Sequence, residues 1–562
     1  MDYIFEYNRW LQKAHDDLDL INELKAMSDE EKNDAFYRHL EFGTGGLRGV
    51  IGAGTNRINY YTVARATQGL ANYINSTFEP HERKVAISRD SRIKSDLFAN
   101  IAAQVFAANG IKVYIYPYIS PVPTLSFATR FLHCCSGVMI TASHNPSKYN
   151  GYKVYGSDGC QITTEAAKTI LSFINEIDCF DGYKIISLDD GFDSGMIEYI
   201  KPGVITKYIE EVKKQSLIKN EKVDKNFDIV YSPLNGTGLY PIRRTLSELG
   251  YTNIKIVEEQ ENPDGHFPTC PFPNPEIKEA LDLGLKYCKK YNADLMLATD
   301  PDCDRVGIAV RSKSGEYVLL SGNELGIVLL DYVCSRRIAL NTMPKNPVMV
   351  KTIVTMDLAE RIANDYGVKA INVLTGFKFI GEQIGLMEKE GRKDDYIFGL
   401  EESYGFLSGT YVRDKDAVNA SVLICEMFAY YKTRGISILD KLNQLWEKYG
   451  YYLNTLRFYE FNGPTGQEKM AKIMNQLRDN ITTMCGLKII EKQDYLPGLN
   501  GLPQSNVLKF MLEKNCSIVL RPSGTEPKLK IYISVNATSQ KEAEVIEEKM
   551  AKIFEDAYLK NI

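Results

Sequence analysis

Residues 136–146 read SGVMITASHNP, a short apolar run that ends on the polar loop Thr141-Ala142-Ser143-His144-Asn145-Pro146. Upstream, KVAISRD at 84–90 and IKVYIYP at 111–117 have the same β-branched character and are separated by helix-length segments. Strands that alternate with helices indicate an α/β domain. The rhythm returns twice. FDIVYSPL (227–234), NIKIVEE (253–259) and ADLMLATD (293–300) form a second set, and PVMVKTIV (347–354), AINVLTG (370–376) and DYIFGLEES (395–403) a third. Three α/β units in series follow, with no fixed period to mark them as recent repeats.

The chain begins with helical signals. Ser28 followed by Glu31 matches a capping box, and it opens SDEEKNDAFYRHLEF. The last hundred residues differ: SIVLRPSGTEPKLKIYISV (517–535) precedes a terminal helix started by Ser539 and Glu542. Ala543, Ile546, Met550 and Ile553 step along one face of that helix and read as core. A chain of 562 residues exceeds one hydrophobic core. The divisions expected are 1–205, 206–321, 322–454 and 455–562.

A net charge of -5 argues against a nucleic-acid partner or a polybasic membrane role. The N-terminus is charged throughout, and no stretch reaches the roughly 18 apolar residues of a membrane span. Eleven cysteines without a C-x-x-C pair read as reduced thiols of a cytoplasmic protein. Oligomeric state is not legible.

Four polar loops follow strand-like runs, and in open α/β sheets ligands gather beyond the carboxyl ends of strands. In the first loop, Ser143 needs a base, a metal or a cationic setting to act as a nucleophile. His144 suggests a Ser–His hydrolase, but adjacent side chains rarely face one another as a triad requires, and no G-x-S-x-G elbow is present. In the second loop, Asp300, Asp302 and Asp304 alternate directly after an apolar strand. Three carboxylates so spaced can converge on one hard cation, with oxygen ligation favouring Mg²⁺ or Ca²⁺ over zinc. The third, Gly399-Leu400-Glu401-Glu402-Ser403-Tyr404-Gly405, offers carboxylates and hydroxyls suited to a sugar. The fourth, Arg521-Pro522-Ser523-Gly524-Thr525-Glu526-Pro527-Lys528, has the composition of a phosphate cradle and no Walker lysine.

These four loops in this order closely resemble the α-D-phosphohexomutase family, over almost the whole chain. The likeness extends to FGTGGLRG at 42–49, SRDSR at 88–92, PLNGTG at 233–238 and LTGFKFIG at 374–381. The form Gly376-Phe377-Lys378 and the length look most like the phosphoglucomutase branch. The resemblance implies four domains around a central cleft, three related α/β domains with mixed sheets and a smaller C-terminal α+β domain. It implies that Ser143 is a phosphoserine and that Asp300, Asp302 and Asp304 hold one Mg²⁺ together with a phosphoserine oxygen. Glu401 and Ser403 would grip sugar hydroxyls, with Gly376 and Lys378 also in the substrate site. Arg521, Ser523, Gly524, Thr525 and Lys528 would hold the non-reacting phosphate, and Arg305 would sit beside the phosphoserine.

Arg48 and Lys153 match positions near the reacting hydroxyl, and Lys153 is the better base because arginine stays protonated. Some relatives carry a histidine where this chain has Gly405, while Lys415 matches a lysine of other members. The reaction implied interconverts glucose 1-phosphate and glucose 6-phosphate through glucose 1,6-bisphosphate, which also serves as activator. Phosphomannomutase, phosphopentomutase and bisphosphate-synthase activities share the same loops. A non-catalytic sugar-phosphate sensor would need neither the nucleophile nor the metal site.

Overall fold

The computed structural model describes residues 2–14, 17–43, 45–219, 221–461, 466–479, 481–499, 501–522 and 528–560. The chain packs as two compact units. The first runs through Leu320 and adds Phe377–Tyr396 and Tyr404–Thr433; the second holds Ser321–Gly376, Ile397–Ser403 and the chain from Arg434 onward.

In the first unit, one sheet is built from β1 (Phe42–Gly43), β2 (Gly46–Val50), β3 (Lys84–Arg89), β4 (Lys112–Ile115), β5 (Ser136–Ile140), β6 (Tyr149–Gly156) and β7 (Ile197–Tyr199). Their order is β1-β2-β6-β5-β3-β4-β7. Strands β5, β3, β4 and β7 are parallel, and β6 runs antiparallel to both β5 and β2. The run at 136–140 and the two upstream of it are thus strands as expected. Every residue of β5 is buried, because helices cover both faces of a parallel sheet. Val63, Leu70, Phe98, Val105 and Phe106 pack with Val85, Val113 and Val138 in this core.

The second sheet comprises β8 (Ile229–Ser232), β9 (Ile254–Ile256), β10 (Leu295–Thr299), β11 (Val306–Arg311) and β12 (Tyr317–Leu320), ordered β12-β11-β10-β8-β9. It is also mixed, with β10 parallel to β8 and antiparallel to β11. Hairpin returns after β5 and β10 make both sheets mixed, and these returns carry the polar loops.

In the second unit, β13 (Val348–Thr352) and β14 (Lys369–Val373) are parallel, and β15 (Tyr396–Glu401) follows on the other side of β13. The C-terminal part is a six-stranded sheet whose order is 451–460, 528–537, 517–522, 508–512, 487–494 and 483–484. Its neighbouring strands pair antiparallel. Helices Gly466–Arg478 and Gln540–Phe554 bury Met470, Ile473, Met550 and Phe554 against Leu520 and Ile531.

Ser28 and Glu31 form the expected capping box, and Ser539 caps the last helix. The buried face of that helix differs in part from the apolar stripe. Ala543 and Met550 are buried, Ile546 and Ile553 only half so, and Glu547 is buried in their place. The carboxylate of Glu547 is tolerated there because Arg457 donates to both of its oxygens at 2.9 and 2.8 Å. Among the described residues no helix is long and apolar enough to cross a membrane. All eleven cysteines are free and buried.

Candidate active site

Strand β5 delivers Ser143 at its carboxyl end, three residues past Ile140. Ser143 is buried and adopts a left-handed backbone, φ +53°. Its N–H donates to Thr141 Oγ1 at 2.7 Å, and its Oγ–H donates to Asp300 Oδ2 at 2.9 Å. His144 Nδ1 lies 3.2 Å from the same Oγ. This corrects the expectation that neighbouring side chains would not meet; the left-handed turn at Ser143 brings them together. It does not make a triad. Burial, then Arg305 and Arg48, push the His144 imidazole well below its ordinary value, which makes it a weak base for the serine proton. No carboxylate is hydrogen-bonded to that ring among the described residues, and the serine proton already points at Asp300.

The loop after β10 gathers Asp300, Asp302 and Asp304, all fully buried. One ligand oxygen from each lies within 4.8 Å of the others. Asp300 Oδ1 accepts from the backbone N–H of Asp304 and Arg305 at 3.1 and 3.0 Å, which folds the loop around its first carboxylate. Burial and the two neighbouring carboxylates push Asp300 well above the usual range. Burial also raises Asp302, but Lys153, Lys415 and a hydrogen bond from Asp300 together outweigh it and hold this carboxyl below the usual range. Asp302 Oδ1 and Asp304 Oδ1 are buried without a hydrogen bond. An orphaned buried carboxylate oxygen is costly. Two of them in an all-oxygen donor set fit a hard divalent cation.

Lys153 and Lys415 reach this cluster from different parts of the first unit. Lys153 Nζ on β6 is 2.8 Å from Asp302 Oδ2 and 3.8 Å from Asp304 Oδ2. Lys415 Nζ is 2.7 Å from Asp304 Oδ2. Strand β2 pairs Gly46 with Lys153 and Arg48 with Gly151. A Cβ at Gly46, whose φ is +138°, would lie 1.9 Å from the Tyr152 carbonyl, so only glycine lets these strands close. Arg48 then extends to Asn145 Oδ1 at 3.4 Å. Arg305 pairs with Glu276, and its Nε lies 3.9 Å from Asp304 Oδ1.

Several residues that support the site were singled out only as part of a family motif, or not at all. The Arg92 guanidinium is buried and donates to the carbonyls of Ser143 at 2.5 Å, Pro146 at 2.9 Å and Tyr149 at 2.9 Å, and also to that of Asn145. Asp90 Oδ2 accepts from Thr141 Oγ1 at 2.6 Å. In the 233–238 turn, the N–H and hydroxyl of Thr237 both donate to the Pro301 carbonyl at 2.9 Å. Groups that act on backbone carbonyls leave no spacing signature; the only available signal was their presence in SRDSR and PLNGTG.

The remaining predicted residues are described unit by unit. Lys378 lies in the first turn of the helix Phe377–Lys389 in the first unit. In the second unit, Gly376 precedes that helix, buried Glu401 ends β15, and half-buried Ser403 lies in the turn beyond. The side chain of Glu402 accepts from Thr352 Oγ1 at 2.9 Å. Arg521 and Lys528 flank the fourth loop on paired strands, and Lys528 Nζ is 3.0 Å from Glu460 Oε1. Ser523, Gly524 and Thr525 lie outside the described residues.

Fold and site define a phosphohexomutase, and comparison with known proteins agrees. Four family models match in series: phosphoglucomutase/phosphomannomutase α/β/α domain I over residues 39–179, domain II over 206–315, domain III over 321–449 and the C-terminal domain over 467–553. A phosphoglucomutase of Staphylococcus saprophyticus is 35% identical over 566 residues, covering 98% of this chain and 99% of its own. One from Staphylococcus aureus strain MSSA476 is 35% identical over 542 residues, 94% of this chain and 95% of its own. Among solved structures, a phosphoglucomutase/phosphomannomutase family protein of Burkholderia thailandensis aligns with TM-score 0.68 at 19% identity, covering 92% of this chain and 98% of that one. Parafusin, a phosphoglucomutase of Paramecium, aligns with TM-score 0.68 at 18% identity, covering 92% and 94%. The chain belongs to the phosphoglucomutase/phosphomannomutase family.

Proposed function

We propose that this phosphohexomutase interconverts glucose 1-phosphate and glucose 6-phosphate through a phosphoserine at Ser143 and a glucose 1,6-bisphosphate intermediate. The observation that carries the reading is the Ser143 hydroxyl seated on Asp300 inside a buried acidic cluster. In the first transfer, the bond from phosphorus to Ser143 Oγ breaks and a bond to the free sugar hydroxyl forms. Lys153, having first lost its ammonium proton to solvent, accepts the hydroxyl proton as the neutral amine, with Arg48 and Lys415 adding positive charge about the transferring group. The bisphosphate then returns its other phosphoryl group to Ser143 Oγ. Asp300, Asp302 and Asp304 would hold Mg²⁺, which when bound neutralises charge on the phosphoryl oxygens. Arg305 would sit beside the phosphoserine and add positive charge to the substrate site.

Gly376, Lys378, Glu401 and Ser403 bind the sugar in this reading, and Arg521, Ser523, Gly524, Thr525 and Lys528 take the non-reacting phosphate. The corresponding domains are 1–205, 206–321, 322–454 and 455–562. Free, buried thiols suit the reducing cytoplasm. The likeness to two staphylococcal phosphoglucomutases supports glucose as the preferred sugar.

A mutase assay with Mg²⁺ over glucose, mannose and pentose 1-phosphates, with and without the bisphosphate, tests the reading. The glucose substrate should give the highest kcat/KM, and Ser143→Ala should give no turnover above background. Intact mass should show a gain of about 80 Da in wild type after bisphosphate treatment and none in Ser143→Ala. Full activity of Ser143→Ala would remove the claim, and a preference for another sugar would move the substrate assignment.

A further inference from the structure

Ser143 sits in a backbone region that L-residues with a Cβ disfavour, so something must hold it there. Two routes run from its peptide groups, and both lead to one side chain. On the carbonyl side, an Arg92 terminal nitrogen donates directly to Ser143 O at 2.5 Å. On the amide side, Ser143 N–H donates to Thr141 Oγ1, and Thr141 Oγ1 donates to Asp90 Oδ2 at 2.6 Å. That carboxylate oxygen lies 3.3 Å from Arg92 Nε, and both side chains are fully buried.

The remaining donors of Arg92 complete the clamp. They reach the carbonyls of Asn145, Pro146 and Tyr149, so one guanidinium gathers four carbonyls of the nucleophile loop. The Phe267 ring covers the guanidinium, 5.1 Å from its central carbon, and excludes water from it. Asp90 is fixed in turn by the Arg92 N–H and the Ser95 hydroxyl, both at 3.0 Å. A planar fork with several fixed donors serves four carbonyls while its charge pairs with a carboxylate; a lysine ammonium has three donors on one atom.

We infer that Arg92, with Asp90 and Thr141, is the positioning device of the nucleophile: it holds Ser143 left-handed so that Oγ faces the acidic cluster. None of the three touches the substrate in this reading. Thr141 also lies 3.2 Å from Asp302 Oδ2, so the carbonyl side and the amide side must be tested separately.

The inference rests on Ser143 being the phosphoryl carrier, and the experiment separates the two. Full-length wild type, Arg92→Lys, Thr141→Val and Thr141→Ser are incubated with glucose 1,6-bisphosphate and Mg²⁺. Phosphorylation of Ser143 is followed by intact mass, beside kcat and KM for glucose 1-phosphate and circular-dichroism melting. Misplacing the nucleophile should slow phosphorylation and kcat by about 10- to 100-fold in Arg92→Lys and Thr141→Val. KM should stay within about twofold, because the sugar and distal phosphate are held elsewhere. Thr141→Ser, which keeps the hydroxyl, should recover most of the rate. Wild-type phosphorylation rates in both Arg92→Lys and Thr141→Val, or no rescue by Thr141→Ser, would overturn the positioning role. A wild type that never gains phosphate would refute the phosphoserine itself, and the positioning role with it.

Discussion

Lys153 and Lys415 both meet the acidic cluster as ion pairs, so contact alone does not say which of them handles the proton. Their positions differ. Lys153 projects from β6, the strand that returns directly from the Ser143 loop, and bonds to Asp302. Lys415 belongs to the segment that leads into helix Ala417–Lys432, where Asp416 caps the helix by accepting from Val418 and Asn419 N–H. Lys153 is thus tied to the Ser143 loop, while Lys415 is held at a capped helix start; in the proposed reaction the first takes the proton and the second stays a standing charge. Lys153→Met should lower kcat by roughly 10²- to 10⁴-fold, the range of a lost general base. Lys415→Met should lower it less, with both proteins still binding Mg²⁺ in calorimetric titrations. The opposite order of kcat losses would transfer the proton role to Lys415.

The turn 233–238 shows how an element can set a site that it does not enter. Leu234 and Asn235 are left-handed, with φ of +47° and +56°, and Gly236 then passes against the loop of Asp300, Asp302 and Asp304. A Cβ on Gly236 would stand 2.4 Å from Pro301 Cα and 2.7 Å from the Pro301 carbonyl, the same oxygen that Thr237 holds twice. Gly236→Ala must therefore push the loop carrying Asp300 and Asp302. We expect a loss of about 1–3 kcal/mol in denaturant unfolding, the usual cost of overpacking, together with weaker Mg²⁺ binding. Unchanged stability and affinity would mean that the turn yields instead of the loop. Sequence made some of these elements legible and hid others, for physical reasons. β5 and β10 declared themselves because a fully buried strand is a continuous apolar run, and alternate aspartates after such a run are rare. Short strands such as β1 and β7 carry too few side chains for a periodicity, and the antiparallel returns β6 and β11, which make the sheets mixed, carry no clear strand signal, so the mixed character came from resemblance alone. Arg92 stayed hidden because its partners are carbonyls, which every residue has. Its sequence neighbourhood says nothing of the loop 51 residues on whose Ser143 carbonyl it holds.

At the scale of the whole chain, the second unit contains a buried charge network far in sequence from the Ser143 loop. Lys351 of β13 donates to Asp357 Oδ1 at 3.3 Å and pairs with Glu360 Oε1 at 3.1 Å. Lys509 and Ser517, on two strands of the C-terminal sheet, donate to the two oxygens of Asp357, each at 2.7 Å. One carboxylate thus joins the third α/β sheet to the antiparallel one. Burial pushes the Asp357 carboxyl up, but Lys509 and Lys351 outweigh it and hold it below the usual range. A depressed carboxyl contributes stability above its unfolded value, about 3.9, and loses it as pH falls from there toward the folded value. Replacing Asp357 by Asn leaves two buried lysines short of a partner, a change that costs about 3–5 kcal/mol when a buried pair is broken. The two tryptophans report the units separately. Trp10 packs on Phe36, Tyr61 and Phe180 in the first, and Trp446 lies 5.0 Å from the Tyr451 ring in the second. In a Trp10→Phe background, Asp357→Asn should lower the melting midpoint seen by Trp446 on the order of 10 °C at neutral pH. In a Trp446→Phe background, the midpoint seen by Trp10 should move much less, and the Trp446 difference should shrink as pH drops below about 4. Equal shifts at both reporters would mean that the chain melts as one block. No shift at either would mean that the network carries no stability.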